Sequence, residues 1–238
     1  MNRPLAFLFD LDGTLLDTAP DMIGALNRLR LEHSEPELAH APLRRHVSHG
    51  AARLVRVGFP DVTGDDFERL RLRFLELYAT GLAEGTSLFH GWSGVLAALE
   101  ASRRPWGIVT NKPGWLTGPL LQQLSLHERA ACVVSGDTVA ERKPHPMPLL
   151  HAARTLGLAP AACVYVGDAE RDIQAGRAAG MSTIAAAYGY RGSDEDPSDW
   201  GPDAVIQSPD ELMSWIDGRE VNTTHPERVA TSSPERAR

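Results

Sequence analysis

The stretch LAFLFDLDGTLLDT, residues 5–18, decides how the rest of the chain is read. Leu5, Ala6, Phe7, Leu8 and Phe9 form an unbroken apolar run, the pattern of a strand buried on both faces of a sheet. The run stops at Asp10, and Asp12 follows two residues later. Two carboxylates crowded at the end of a buried strand repel each other and resist desolvation, so they need a compensating partner. Gly13 permits a tight turn with close backbone approach. Backbone N–H groups in such a turn can bind phosphate oxygens.

Five more short apolar runs follow: WGIVTN (106–111), CVVSGD (132–137), CVYVGD (163–168), STIAAAYG (182–189) and DAVIQS (203–208). Helically spaced segments separate most of them, at 95–101, 119–126, 148–158 and 172–181. This alternation predicts an α/β fold with a parallel sheet covered on both faces. The first four runs end in Asp or Asn. Ligands of open parallel sheets sit beyond the carboxyl ends of the strands, so these polar residues are expected to converge on one site.

Residues 17–87 interrupt the alternation with helical patterning and no strand-like run, which predicts an inserted small α-helical cap. The expected catalytic core is therefore 1–16 with 88–218, and the polar stretch 219–238 is expected to be a disordered tail. With 42% hydrophobic residues in 238, the chain can bury a sizeable core. A net charge of −7 argues against nucleic acid as a partner. No run approaches a membrane span, and the N-terminal apolar run is too short for a signal peptide. The two cysteines, Cys132 and Cys163, read as small buried residues in a reducing compartment. The expected location is the cytoplasm, as a monomer or homodimer.

A divalent cation would make the carboxylate pair tolerable. Mg²⁺ takes oxygen ligands and typically binds through one or two carboxylates plus substrate phosphate. Asp10, Asp12, Asp168 and Asp172 are the candidate metal residues. Of 24 Lys and Arg residues only two are lysine, Lys112 and Lys143. A compact ammonium suits a crowded site of carboxylates and phosphate better than a wide guanidinium fork does.

DLDGT (10–14), VTN (109–111), RKP (142–144) and GDAERD (167–172) resemble, in order, the four motifs of the haloacid dehalogenase superfamily. The resemblance covers about residues 5–218 and implies a Rossmann-like, doubly wound core, an essential Mg²⁺ and an aspartyl-phosphate intermediate. It implies Asp10 as nucleophile and Asp12 as general acid and base. It further implies Lys143 as the neutralising cation, Thr110 and Asn111 as phosphate-holding residues, and Asp168 and Asp172 at the metal. The dehalogenases of the superfamily lack the second aspartate, so Asp12 favours phosphoryl chemistry over carbon–halogen cleavage.

DTAPD (17–21), VTNKP, KPHPMPLL and AAYGYRG resemble phosphoglycolate phosphatases. SHGAARLV (48–55), LFHGW (88–92) and YGYRGSDEDPSDWGPD (188–203) resemble bacterial N-acetylmuramic acid 6-phosphate phosphatases of the same branch more closely. The implied substrate is a small phosphorylated sugar or acid; a phosphosugar mutase is a further alternative within the superfamily. In the insertion, Arg45, His49, Arg53 and Arg56 fall near one helical face if Gly50 does not break the helix. His49, Gly50 and Arg53 are the expected substrate-facing residues there. An Arg suits a carboxylate-bearing substrate.

Overall fold

The computed structural model describes residues 4–192 and 195–217. The expected tail lies outside these residues. All six apolar runs are strands of one parallel sheet. They are β1 (Ala6–Phe9), β4 (Trp106–Val109), β5 (Cys132–Val134), β6 (Cys163–Gly167), β7 (Ser182–Ala186) and β8 (Ala204–Ile206). The order is β5-β4-β1-β6-β7-β8, with every neighbouring pair parallel. The N-terminal run is thus a central strand, consistent with its lack of polar alternation.

Helices α5 (Trp92–Ala101), α6 (Gly114–Gln123), α7 (Met147–Thr155), α8 (Glu170–Ala178) and α9 (Leu212–Asp217) cover the sheet. Phe7 and Phe9 pack on one face with Trp92, Leu96, Leu120 and Trp215. Ala6 and Leu8 pack on the other with Leu149, Ala152 and Ala175. The doubly wound α/β architecture follows from this two-sided burial.

Between β1 and β4 the chain departs through a two-stranded antiparallel ribbon, β2 (Leu16–Asp17) with β3 (Ser87–Leu88). The sequence reading missed this ribbon because two-residue strands carry no detectable period. Its boundaries at 17 and 87 therefore cut through paired residues, Asp17 opposite Ser87. Inside the ribbon lie α1 (Ala19–Glu32), α2 (His40–Leu43), a 3₁₀ turn (Arg44–His49), α3 (Gly50–Gly58) and α4 (Gly64–Thr80). Met22, Ile23, Leu26 and Leu29 of α1 and Leu70, Phe74, Leu77 and Tyr78 of α4 are buried in an apolar cluster continuous with the sheet's Phe7 and Phe9.

Gly50 does break the helical run. It sits at φ +76 between the 3₁₀ turn and α3, so Arg45, His49, Arg53 and Arg56 do not share one continuous helical face.

Candidate active site

Strand register builds the site. Phe9 lies opposite Ile108 of β4 and Val166 of β6, so Asp10, Thr110 and Asp168 emerge together at the carboxyl edge. Asp10 N–H donates to the Val166 carbonyl, at 2.9 Å. The turn then reverses through Gly13 at φ +88, where a β-carbon would collide with the Asp168 carboxylate. Only glycine fits there, and its predicted role is this close approach rather than a side-chain contact.

The two carboxylates of the turn enter different surroundings. Asp10 Oδ1 accepts the Leu11 N–H at 2.7 Å and pairs with Lys143 Nζ at 2.8 Å. Lys143 is fully buried and also reaches Asp172 Oδ1 at 2.8 Å and the Tyr165 hydroxyl at 2.7 Å. Asp12 turns away to Lys112 Nζ and the Thr18 hydroxyl, both at 2.7 Å from its Oδ1.

Asp10, Asp168 and Asp172 offer carboxylate oxygens within 4.8 Å of one another, all three buried. Asp12 is not in this group. Lys112 and Thr18 draw its side chain the other way. Asp168 is held by the Thr14 hydroxyl at 3.2 Å, the Ser48 hydroxyl at 2.6 Å and the Tyr190 N–H at 2.9 Å. Burial, then repulsion from Asp10 and Asp172, pushes its carboxyl up to about 7. Burial likewise raises Asp10 despite Lys143. Burial also works to raise Asp172, but Lys143 and then Arg171 outweigh it and hold its carboxyl low. Three buried hard-oxygen donors, two with protons held above the ordinary carboxylate range, are a set that a divalent cation such as Mg²⁺ fits.

Asn111 is held against the Lys143 loop. Its side-chain amide clamps the Lys143 backbone, donating to the carbonyl at 2.9 Å and accepting the N–H at 3.0 Å. This clamp positions Lys143. Thr110 lines the cleft and accepts the Lys112 N–H at 3.1 Å. The cleft is a cavity of about 390 Å³ between the strand ends and the insertion, which lines it with Val47, Ser48, His49, Leu75 and Tyr78. His49 and Gly50 line it; Arg53 does not, and its Nε lies 3.4 Å from His46 Nδ1. The broken helix removes the face that would have aimed Arg53 inward.

The family model for haloacid dehalogenase-like hydrolases matches residues 7–186. The chain belongs to this family. Among similar relatives of this hydrolase is a phosphoglycolate phosphatase of Xanthomonas campestris pv. campestris, 47% identical across 89% of this chain and 96% of its own. Another is an N-acetylmuramic acid 6-phosphate phosphatase of Pseudomonas putida, 44% identical across 90% and 97%. The crystal structure of a predicted phosphoglycolate phosphatase from Haemophilus somnus superimposes with a TM-score of 0.80 at 25% identity, covering 90% of this chain and 98% of that one. The enzyme is a hydrolase of phosphoric monoesters.

Several groups of this hydrolase's site had no clear sequence signal. Arg171 sits within GDAERD between two acidic residues; its Nη2 donates to the Ser48 carbonyl at 2.7 Å. Ser48 belongs to the insertion yet bonds a core carboxylate. In the 188–203 segment, the Tyr188 hydroxyl donates to the Thr14 carbonyl at 2.9 Å and the Tyr190 hydroxyl to Asp17 Oδ1 at 2.6 Å. The nearly exclusive use of Arg elsewhere was the one available signal for Lys112, which is buried between Asp12 and the Tyr78 ring, 4.7 Å from its centroid.

Proposed function

We propose that this hydrolase is a Mg²⁺-dependent phosphomonoesterase working through an aspartyl-phosphate on Asp10, with N-acetylmuramic acid 6-phosphate as its substrate. The products would be N-acetylmuramic acid and phosphate, a step of peptidoglycan recycling. The observation that carries the mechanism is the separation of two neighbouring carboxylates into distinct environments, the arrangement that divides nucleophile from acid–base work. Asp10 Oδ1 is engaged by Lys143 and the Leu11 N–H, leaving Oδ2 as the attacking oxygen. Asp12 Oδ1 is anchored on Lys112 and Thr18, leaving Oδ2 to protonate the departing alkoxide. The same Asp12 oxygen then takes a proton from the water that opens the acyl-phosphate, splitting one difficult hydrolysis into two displacements. Asp10, Asp168 and Asp172 would hold Mg²⁺, which supplies positive charge against the nucleophile and the phosphoryl oxygens. The insertion serves as a cap that excludes water from the cleft.

The cavity of about 390 Å³ supports a sugar phosphate, because a two-carbon acid would leave most of it to water. Leu75, Leu116 and Tyr78 line it and give a sugar ring an apolar wall. The second reading, 2-phosphoglycolate, is favoured by the relatives of that name at 47% identity. Phosphate release from the two esters at equal concentrations, with Mg²⁺, separates them. A higher kcat/KM for the sugar phosphate is expected; a preference for phosphoglycolate overturns the substrate assignment and leaves the mechanism in place.

A further inference from the structure

We propose that Arg171 is a further catalytic residue of this site, binding the oxygens of the phosphoryl group carried by Asp10. The inference rests on the phosphatase reading above. It starts from the donors of Lys143, the cation expected to neutralise phosphate. An ammonium has three N–H bonds. Those of Lys143 point to Asp10 Oδ1, Asp172 Oδ1 and the Tyr165 hydroxyl, on a side chain with no exposed surface. Lys143 therefore has no donor left for a phosphoryl oxygen. Lys112 is directed at Asp12, and the Asn111 amide is engaged with the Lys143 backbone.

Arg171 is placed to add a charged donor beside the Thr110 hydroxyl and the N–H groups of the turn. Asp10 Oδ2 receives no hydrogen bond among the described residues, and Arg171 Nη2 stands 4.0 Å from it. That separation is too long for a hydrogen bond to the carboxylate itself. It brings the oxygens of a phosphoryl on Oδ2 within reach of the guanidinium, because they stand further out from the carboxylate than Oδ2 does. Arg171 lines the same cavity as Asp10, Asp12 and Thr110. Of its five N–H bonds, one holds the Ser48 carbonyl at 2.7 Å, while Nη1 lies 3.5 Å from His49 Nδ1. A planar fork can keep that hold and still present donors to an anion, which a point-charge lysine cannot do as well. The residue is also fixed from behind: it stands in the first turn of α8, next to Asp172, which accepts the Ala169 N–H at 3.1 Å.

The test compares Arg171→Gln with Arg171→Lys in the full chain. Gln retains an N–H for the Ser48 carbonyl and removes the charge, whereas Lys retains the charge. Inorganic phosphate binding is measured by calorimetry with Mg²⁺ present, alongside kcat and KM for a small aryl phosphate. Arg171→Gln is expected to weaken phosphate binding about tenfold and to lower kcat by about 10²-fold, with Arg171→Lys recovering part of both. Unchanged phosphate affinity and kcat in Arg171→Gln overturn the proposal, leaving Arg171 as a tie to the insertion alone. If Arg171→Gln does not fold, the Lys variant decides: wild-type phosphate affinity and kcat there overturn it, a partial loss of both supports it. A wild-type protein that releases no more phosphate than Asp10→Asn would instead overturn the phosphatase reading and this inference together.

Discussion

At the floor of the cleft, Asp10, Lys143, Asp168 and Asp172 are buried and each holds several partners, whereas at its roof His49 and Arg53 stand exposed on either side of a helix break. The floor is held by parallel strands whose ladder hydrogen bonds bring their carboxyl ends level. The roof is held by side-chain packing of helices and by a few polar ties, Ser48 to Asp168 and Arg171 to the Ser48 carbonyl. Groups that must meet a reacting atom within fractions of an ångström sit on the rigid side; groups that adapt to a leaving group sit on the adaptable side.

The sharpest test of this contrast is Asp10→Asn. Phosphate release should fall on the order of 10⁴-fold or more in kcat while the fold is retained, since one of three mutually repelling buried carboxylates is neutralised. Activity within tenfold of wild type, measured by phosphate assay, would remove Asp10 as nucleophile. Lys143→Met should destabilise the chain by about 3–5 kcal/mol in urea titration, because it strands two buried carboxylates. Lys112→Met should be milder, since the Asp12 side chain keeps 15% exposure and the Thr18 hydroxyl. Equal losses would show that the two cations are equally embedded and that the floor is not special.

A third test uses pH. The Asp168 carboxyl lies at about 7 in the fold against an ordinary 3.8, so between these values the folded chain holds a proton that the unfolded chain has released. Metal-free stability therefore falls as pH rises through about 7, and a cation that replaces the proton restores it. Mg²⁺ should raise Tm by several degrees at pH 8 and by less at pH 6. An equal or reversed shift would place metal binding away from Asp168. The smallest effect belongs to the roof: His49→Ala should raise KM a few-fold and Arg53→Ala should leave it within about twofold, because only His49 lines the cavity. A larger KM change in Arg53→Ala would mean the 3₁₀–α3 junction rearranges on substrate binding.

Much of the floor was legible in the chain's order. The six apolar runs are the six strands, since two-sided burial in a parallel sheet leaves uninterrupted apolar stretches. Polar residues just past those runs converge because parallel strands end on one edge. The placement of Arg53 outside the cavity lining was not legible because a helical wheel assumes a continuous helix, and Gly50 adopts a left-handed φ that ends the 3₁₀ turn and starts a new axis. The partners of Asp12 were not legible for another reason: proximity in sequence to Asp10 says nothing about which cation its side chain will meet.

By itself the sequence determined the parallel sheet and the meeting of Asp10, Thr110 and Asp168 at its carboxyl edge, because hydrophobic periodicity and strand direction are local and additive; Lys143 joined them through the family resemblance. Only the tertiary structure decided that Asp12 pairs with Lys112 outside the three-carboxylate group, that Asn111 serves the Lys143 backbone, and that Arg171 faces the free oxygen of Asp10. Those choices depend on competition for hydrogen-bond partners among residues distant in sequence, and that competition exists only once the chain is folded.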